Sequence, residues 1–193
     1  MNEDLRLALA PVADALEALG VDYRVSGSVA SSALGVGRST LDIDLVADLP
    51  LRDVDAFVER LGDAFYADGD MMRDAIRRRS SFNVIHLATM MKIDVFILKQ
   101  RAFDRQAFTR VTPAALDQQH DRLFPLTTAE DIILHKLEWY RLGDGASGRQ
   151  WDDILGVVRI QGASLDRAYL ERWARDLGVD DLLERVLTEA DGR

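Results

Sequence analysis

Two aspartates separated by one residue, Asp42 and Asp44, are the clearest candidates for chemistry in this sequence. They lie in a strand predicted over residues 41–47. Because side chains alternate between the faces of a strand, both carboxylates point one way, while Ile43 and Leu45 point into a core. Like charges this close together are costly unless a cation lies near them. A divalent metal ion is the usual partner of ligands that are all oxygens, so the pattern predicts a metal site on one face of a sheet.

A third acid, Asp94, lies in a later apolar strand predicted over residues 92–98, where Lys92 and Phe96 share its face. An isolated acid on such a strand is expected to have a function. Three carboxylates that converge near a phosphate-binding turn are typical of two-metal phosphoryl or nucleotidyl transfer. Asp42 and Asp44 would hold both metal ions. Asp94 would orient or deprotonate the attacking hydroxyl and complete the shell of one ion. The alternative for all three is a solvated acidic face.

The pair Gly27-Ser28 follows a predicted strand at residues 21–25 and begins a short helix that ends near Leu34. The first N–H groups of a helix are unpaired and carry partial positive charge, so an anion fits there. Glycine allows a phosphate to approach the backbone, and the serine hydroxyl adds a donor. The alternative is ordinary N-capping, the commoner role of an isolated turn of this kind.

The elements around these residues alternate between helical and strand periodicity as far as about residue 111, and only helical periodicity follows from Thr127. We therefore expect an α/β (α+β) fold, a mixed sheet flanked by helices, with a core at residues 1–112 and a helical C-terminal domain at residues 113–193. The predicted helices span residues 3–19, 28–34, 51–66, 71–79, 128–142, 149–160, 165–177 and 179–190, and the predicted strands span residues 21–25, 41–47, 82–87 and 92–98. Ser164 is the predicted cap of the helix at 165–177.

Composition limits the function classes. The chain has 193 residues, a net charge of -9 and no cysteine, which excludes disulfides, thiolate metal sites and thiol nucleophiles. An acidic chain is not a general nucleic-acid coat. The first ten residues lack the basic flank of a signal peptide, and no apolar run approaches ~20 residues. We expect a cytoplasmic protein with no membrane partner.

The segment GSVASSALGVGRSTLDIDLV resembles the first motif of the nucleotidyltransferase superfamily that includes DNA polymerase beta, and most closely its AbiEii-type toxin branch. The matching positions are Gly27, Ser28, Arg38, Thr40, Asp42 and Asp44. The resemblance implies the nucleotidyltransferase fold, an NTP substrate and two Mg²⁺ ions. It also implies that Arg38 binds the triphosphate or pairs with a metal-binding aspartate.

The C-terminal segments AEDIILHKLEWYRLG and RQWDDILGVV resemble two further motifs of that branch. They supply an acid, a lysine, a basic residue and a second acid, here Asp131, Lys136, Arg149 and Asp153. The resemblance implies that Lys136 contacts the nucleotide phosphates and that an acid supports it. Because Gln150 stands where many relatives have an acid, Asp152 and Asp153 both remain candidates, and spacing favours Asp153. The alternative for Lys136 is a structural salt bridge with Asp153.

Taken together, these features predict an Mg²⁺-dependent enzyme that moves a nucleoside monophosphate from an NTP to an acceptor hydroxyl. The resemblance implies a tRNA 3′ end as acceptor, a toxin function and a cognate antitoxin. A protein side chain is another possible acceptor. The alternatives are a non-catalytic, antitoxin-like binding partner and an aminoglycoside-type small-molecule nucleotidyltransferase. We expect the site in a cleft between the two domains.

Three other groups of residues have two interpretations each. The first group is a basic cluster of four arginines, Arg73, Arg77, Arg78 and Arg79. This cluster could bind RNA or form salt bridges with Asp70 and Asp74. Three aromatic residues could stack a base or pack in the core, and they are Trp139, Tyr140 and Trp151. His86 and His120 have no spacing that suits a metal site, so we expect structural roles.

Overall fold

The computed structural model describes residues 3–35, 42–116, 122–143 and 147–192. The predicted site residues Arg38 and Thr40 lie outside these ranges, as does His120. The chain forms two compact units. One comprises Met1–Val29 and Thr40–Leu126, and the other comprises Ala30–Ser39 and Thr127–Arg193.

A mixed sheet forms the centre of the first unit. Its described strands are β1 (Tyr23–Ser26), β2 (Asp42–Ala47), β3 (Phe65–Tyr66), β4 (Ser81–His86), β5 (Met91–Ile97), β6 (Thr112–Ala115) and β7 (Leu123–Leu126). They lie in the order β3-β4-β5-β2-β1-β7-β6. The pairs β2–β5 and β1–β7 are parallel, and the other neighbours are antiparallel.

The helices in this part of the chain each bury apolar residues. The described helices up to residue 116 are α1 (Glu3–Ala18), α2 (Gly27–Leu34), α3 (Val54–Leu61), α4 (Gly69–Arg78) and α5 (Ala102–Thr109). Leu9 and Leu16 of α1 and Phe57 of α3 are fully buried. On the sheet, burial alternates along β2 and β5, and Ile43 and Ile93 are fully buried. This alternation confirms the predicted core face of both strands.

The second unit is helical, with α6 (Ala129–Leu142), α7 (Gly148–Gln161), α8 (Arg167–Leu177) and α9 (Asp180–Asp191). Thr128 caps α6 by accepting a hydrogen bond from the Asp131 amide. The cap of α8 is Asp166, which accepts from the Tyr169 amide, so the predicted cap at Ser164 was wrong. No helix in the described part of the chain is long and apolar enough to cross a membrane.

The architecture confirms the predicted mixed α/β sheet with helices and a helical C-terminal part. Four of the described elements differ from the sequence-based expectation. Residues 65–66 form β3 instead of ending a helix, because Gly62 takes a positive φ of 55° that terminates α3. Helix α5 was not predicted. Strands β6 and β7, which begin at Thr112 and Leu123, were not predicted either, and they belong to the sheet of the first unit.

Candidate active site

A row of polar side chains crosses the sheet from β1 to β4. Asp44 on β2 pairs in register with Ser26 on β1 and with Asp94 on β5, and Asp94 in turn pairs with Asn83 on β4. Residues that pair across neighbouring strands point to the same face. The structure therefore brings Asp44 and Asp94 into adjacent positions, although 49 residues separate them in the chain. Asp42 lies one step along the same face of β2, opposite Lys92.

The turn at Gly27 connects this row to helix α2. Gly27 has a φ of 57°, in the left-handed region that favours glycine. A Cβ atom built on Gly27 would lie 1.8 Å from Oδ2 of Asp44 and 2.8 Å from its Cβ. The Asp44 carboxylate thus occupies the space that a side chain would need. Gly27 and Ser28 form the start of α2, so the positive end of this helix lies beside Asp44.

Lys92 is a member of the site that the sequence interpretation did not include. Its Nζ atom lies 2.7 Å from Oδ2 of Asp94 and 3.8 Å from Oδ1 of Asp42. The hydrogen bond to Asp94 raises the pKa of Lys92. The partial loss of solvation lowers this pKa, and the negative charges of Asp42 and Asp44 raise it. The two-residue period already placed Lys92 on the face of Asp94, so the signal was present in the sequence.

The three aspartates provide the donor atoms that Mg²⁺ prefers. Among the described residues, no group of three or more acidic or histidine side chains is already arranged to hold a metal ion. However, the Lys92 ammonium is drawn to two of these carboxylates, which shows that this face attracts positive charge. The chemistry of the donor set therefore fits a divalent cation.

Lys136 and Asp153 form an ion pair within the helical unit. Nζ of Lys136 on α6 lies 2.8 Å from Oδ2 of Asp153 on α7, and the two side chains are 12% and 9% exposed. Asp153, and not the exposed Asp152, is therefore the partner of Lys136. This contact is the salt bridge that the sequence left open as the alternative for Lys136. A role in nucleotide binding stays a prediction.

Hydrogen bonds within the helical unit hold the side chain of Asp131. Its side chain is fully buried and accepts hydrogen bonds from the Thr128 hydroxyl at 2.7 Å and the Tyr169 hydroxyl at 2.6 Å. These contacts satisfy a buried carboxylate and join α6 to α8. The carboxylate of Asp131 therefore links two helices of this unit.

Most members of the basic cluster are engaged within the protein. Arg73 pairs with Asp55 and Asp70, Arg78 pairs with Asp74, and Arg79 donates to the carbonyl of Leu98. These contacts favour the salt-bridge interpretation over an RNA surface.

The aromatic residues divide into two kinds. Trp151 is buried and its indole N–H donates to Glu189, so it packs in the helical unit. Trp139 is half-exposed. His86 hydrogen-bonds Thr89 through Nδ1, and its ring packs in a tilted arrangement against that of Phe65, in agreement with a structural role.

Comparison with known proteins supports the fold. No protein-family model and no curated protein sequence matches the chain. Among solved structures, the chain is similar to the antibiotic-resistance factor ANT(2'')-Ia, with a TM-score of 0.58 and 15% identity over 99% of this chain and 97% of that one. It is also similar to an antigenic nucleotidyltransferase-like protein from Paracoccidioides brasiliensis, with a TM-score of 0.53 and 16% identity over 97% and 93% of the two chains. At these identities the likeness shows that the chain has a nucleotidyltransferase-like fold.

Proposed function

We propose that this protein is an Mg²⁺-dependent nucleotidyltransferase that moves a nucleoside monophosphate from an NTP to an acceptor hydroxyl. The observation that carries the proposal is the strand register that sets Asp44 beside Asp94, with Asp42 on the same face of β2. The nucleotidyltransferase-like fold supports it. A non-catalytic binding protein has no need for three carboxylates on one face, because like charges in neighbouring positions destabilise a sheet.

In this reaction the acceptor oxygen bonds to the α-phosphorus, the bond to the bridging oxygen breaks, and pyrophosphate leaves. Asp42 and Asp44 would hold the Mg²⁺ ions, of which two are expected. Bound Mg²⁺ offsets the charge of the triphosphate and favours deprotonation of the acceptor hydroxyl. Asp94 would complete the shell of one ion, orient that hydroxyl and accept its proton. The amides at Gly27 and Ser28 stabilise phosphate charge at the start of α2.

The resemblance to the AbiEii-type branch supports further roles in nucleotide binding. Arg38 and Thr40 match positions of the first motif, and Lys136 and Asp153 match positions of the later motifs. Lys136 would contact phosphate oxygens as a compact positive charge, with Asp153 orienting its ammonium.

The resemblance also favours a tRNA 3′ end as the acceptor. In that case the protein blocks translation as a toxin, and a cognate antitoxin protein restrains it.

A small cationic acceptor such as an aminoglycoside is the second candidate. It is favoured by the net charge of -9, by the similarity to an antibiotic-resistance factor, and by the internal ion pairs of Arg73 and Arg78. An acidic protein attracts a cationic substrate, whereas it repels the phosphates of RNA.

The test incubates the protein with each labelled NTP, Mg²⁺, and either total RNA or a panel of aminoglycosides. Label in tRNA supports the first acceptor, and label in an aminoglycoside supports the second. Asp42→Asn keeps the side-chain shape but removes a metal ligand, so transfer should fall by at least about a hundredfold. Asp63→Asn, a change at an exposed residue outside the proposed site, is the control. Transfer that survives Asp42→Asn would refute the proposed site.

Growth tests the toxin function separately. Expression should arrest growth, and Asp44→Asn should relieve the arrest. Arrest that persists with the variant would exclude nucleotidyl transfer as its cause.

A further inference from the structure

We infer that Lys92 is the resident countercation of the site and competes with divalent metal ions for Asp42 and Asp94. The inference rests on the proposed function in one respect, namely that these carboxylates hold a metal ion. It adds a residue that determines how tightly the ion is held.

Backbone pairing fixes the position of Lys92. It lies directly across from Asp42 in the parallel β2–β5 register and two residues before Asp94 on the same strand face. Main-chain hydrogen bonds between the strands set the first relationship, and the two-residue alternation of side chains along β5 sets the second. The ammonium is therefore presented to these two carboxylates whenever no other cation is bound.

The distances show what the ammonium does there. It donates a hydrogen bond to Oδ2 of Asp94 at 2.7 Å and lies 3.8 Å from Oδ1 of Asp42. A metal ion needs these oxygens as ligands. A divalent ion and an ammonium bound to the same oxygens would lie within a few ångströms and repel one another, so occupancy by one disfavours the other.

Exposure indicates that Lys92 can leave. Its side chain is 41% exposed and that of Asp42 is 60% exposed, so the pair is open to solvent and weak. Lysine has a flexible four-carbon stem, and rotation of this stem moves the ammonium into water without disturbing the core. If Lys92 stayed in place beside a bound metal ion as a second positive charge, its ammonium would instead need to be buried and fully paired. These properties favour a competitor that the metal ion displaces.

The experiment measures Mn²⁺ binding to the full chain by electron paramagnetic resonance, without nucleotide and without an activity assay. Lys92→Met keeps the length and the apolar stem but removes the charge. We expect it to bind Mn²⁺ about tenfold more tightly than the wild type, because a like charge near the ion is gone. Lys92→Arg keeps the charge and should bind no more tightly than the wild type. Lys99→Met removes an exposed lysine outside the row and should leave the affinity unchanged.

The outcomes separate this inference from the proposed function. If Mn²⁺ binds the wild type and is lost in Asp44→Asn, but Lys92→Met has equal or lower affinity, the metal site stands and Lys92 is not a competitor. An equal gain in Lys99→Met would also refute the inference, since the effect would then come from net charge. If neither the wild type nor Lys92→Met binds Mn²⁺, the metal site itself is wrong and both proposals fail.

Discussion

Substitution of Gly27 by alanine tests whether the contact with Asp44 organises the site. Gly27 has a φ of 57°, and a Cβ atom there would lie 1.8, 2.5 and 2.8 Å from Oδ2, Cγ and Cβ of Asp44. Contact with three successive atoms means that rotation of the carboxylate alone does not relieve the overlap. Asp44 or the turn must shift as a whole, so we expect Gly27→Ala to lower both the free energy of unfolding and the affinity for Mn²⁺.

The magnitude follows from two contributions. Left-handed backbone costs a residue with a Cβ about 1–2 kcal/mol relative to glycine. Overpacking of a filled site costs a further 1–3 kcal/mol or so. The free energy of unfolding should therefore fall by about 2–5 kcal/mol. Gly20→Ala is a matched control, since Gly20 has a φ of 65° but no heavy atom within 4 Å of the position that a Cβ would take. It should show only the backbone cost of about 1–2 kcal/mol.

Urea denaturation of both variants, followed by circular dichroism, gives the two changes in unfolding free energy. Asp44→Ala in the Gly27→Ala background removes the contacts at 1.8 and 2.5 Å and leaves the one at 2.8 Å. This double variant should therefore recover part of the stability that Gly27→Ala loses. Equal losses for Gly27→Ala and Gly20→Ala, together with unchanged Mn²⁺ affinity, would refute the reasoning.

Three polar contacts outside the row of aspartates give further predictions. Tyr169→Phe removes a hydroxyl that donates to the fully buried Asp131, and urea denaturation should show a loss of about 1.5–3 kcal/mol. Asp153→Ala leaves the Lys136 ammonium without this carboxylate at 12% exposure, so the unfolding free energy should fall by about 3 kcal/mol and Lys136→Met should restore part of it. Burial raises the pKa of Tyr23, and the hydrogen bond that the Tyr23 hydroxyl donates to a carboxylate raises it further. The folded state then keeps this proton to higher pH than the unfolded state, so the contribution of Tyr23 is complete below pH ~10 and is lost as the pH rises further. Tyr23→Phe should show a smaller loss of unfolding free energy between neutral and alkaline pH.

Each of these predictions has a control or an opposing result. Tyr66→Phe alters a tyrosine that is half-exposed, and it should change stability by no more than about 0.5 kcal/mol. A similar loss in Tyr66→Phe and Tyr169→Phe would contradict the role of the buried hydrogen bond. Failure of Lys136→Met to restore stability would mean that the loss in Asp153→Ala does not come from the unpaired ammonium. Parallel alkaline profiles for the wild type and Tyr23→Phe would contradict the pKa argument.

Local patterns in the sequence predicted the strands that carry the site. Strands β2 and β5 have six and seven residues, so each contains several repeats of the two-residue period. This was enough to place Asp42 with Asp44 on one face and Ile43 on the other. The register between the strands was not predictable, because Asp44 and Asp94 meet through main-chain pairing between distant segments. The contact of Lys92 with Asp42 was hidden for the same reason.

The elements that the sequence did not reveal have weak local signals. Strands β6 and β7 have four residues each and contain Pro113 and Pro125, which lack the N–H group that a strand ladder uses. The two residues of β3 are too few to show a period. In the helical unit, Asp131 was identified through its resemblance to a motif position, but its partner Tyr169 lies 38 residues later. Hydrogen bonds between distant residues leave no trace in local periodicity.

The three carboxylates of the site are held in unequal ways, and this determines what substitutions there can report. Asp44 fills the space that a side chain at position 27 would need, and Asp94 accepts a hydrogen bond from the Lys92 ammonium. Asp42 has the most exposed side chain of the three and lies farther from that ammonium than Asp94 does. A change in the size of the Asp44 side chain therefore alters the packing at the turn as well as a proposed metal ligand, and a change at Asp94 also releases Lys92. Asp42→Asn alters the donor set with the least effect on the surrounding structure, so it is the variant in which lost transfer is most directly evidence about metal binding.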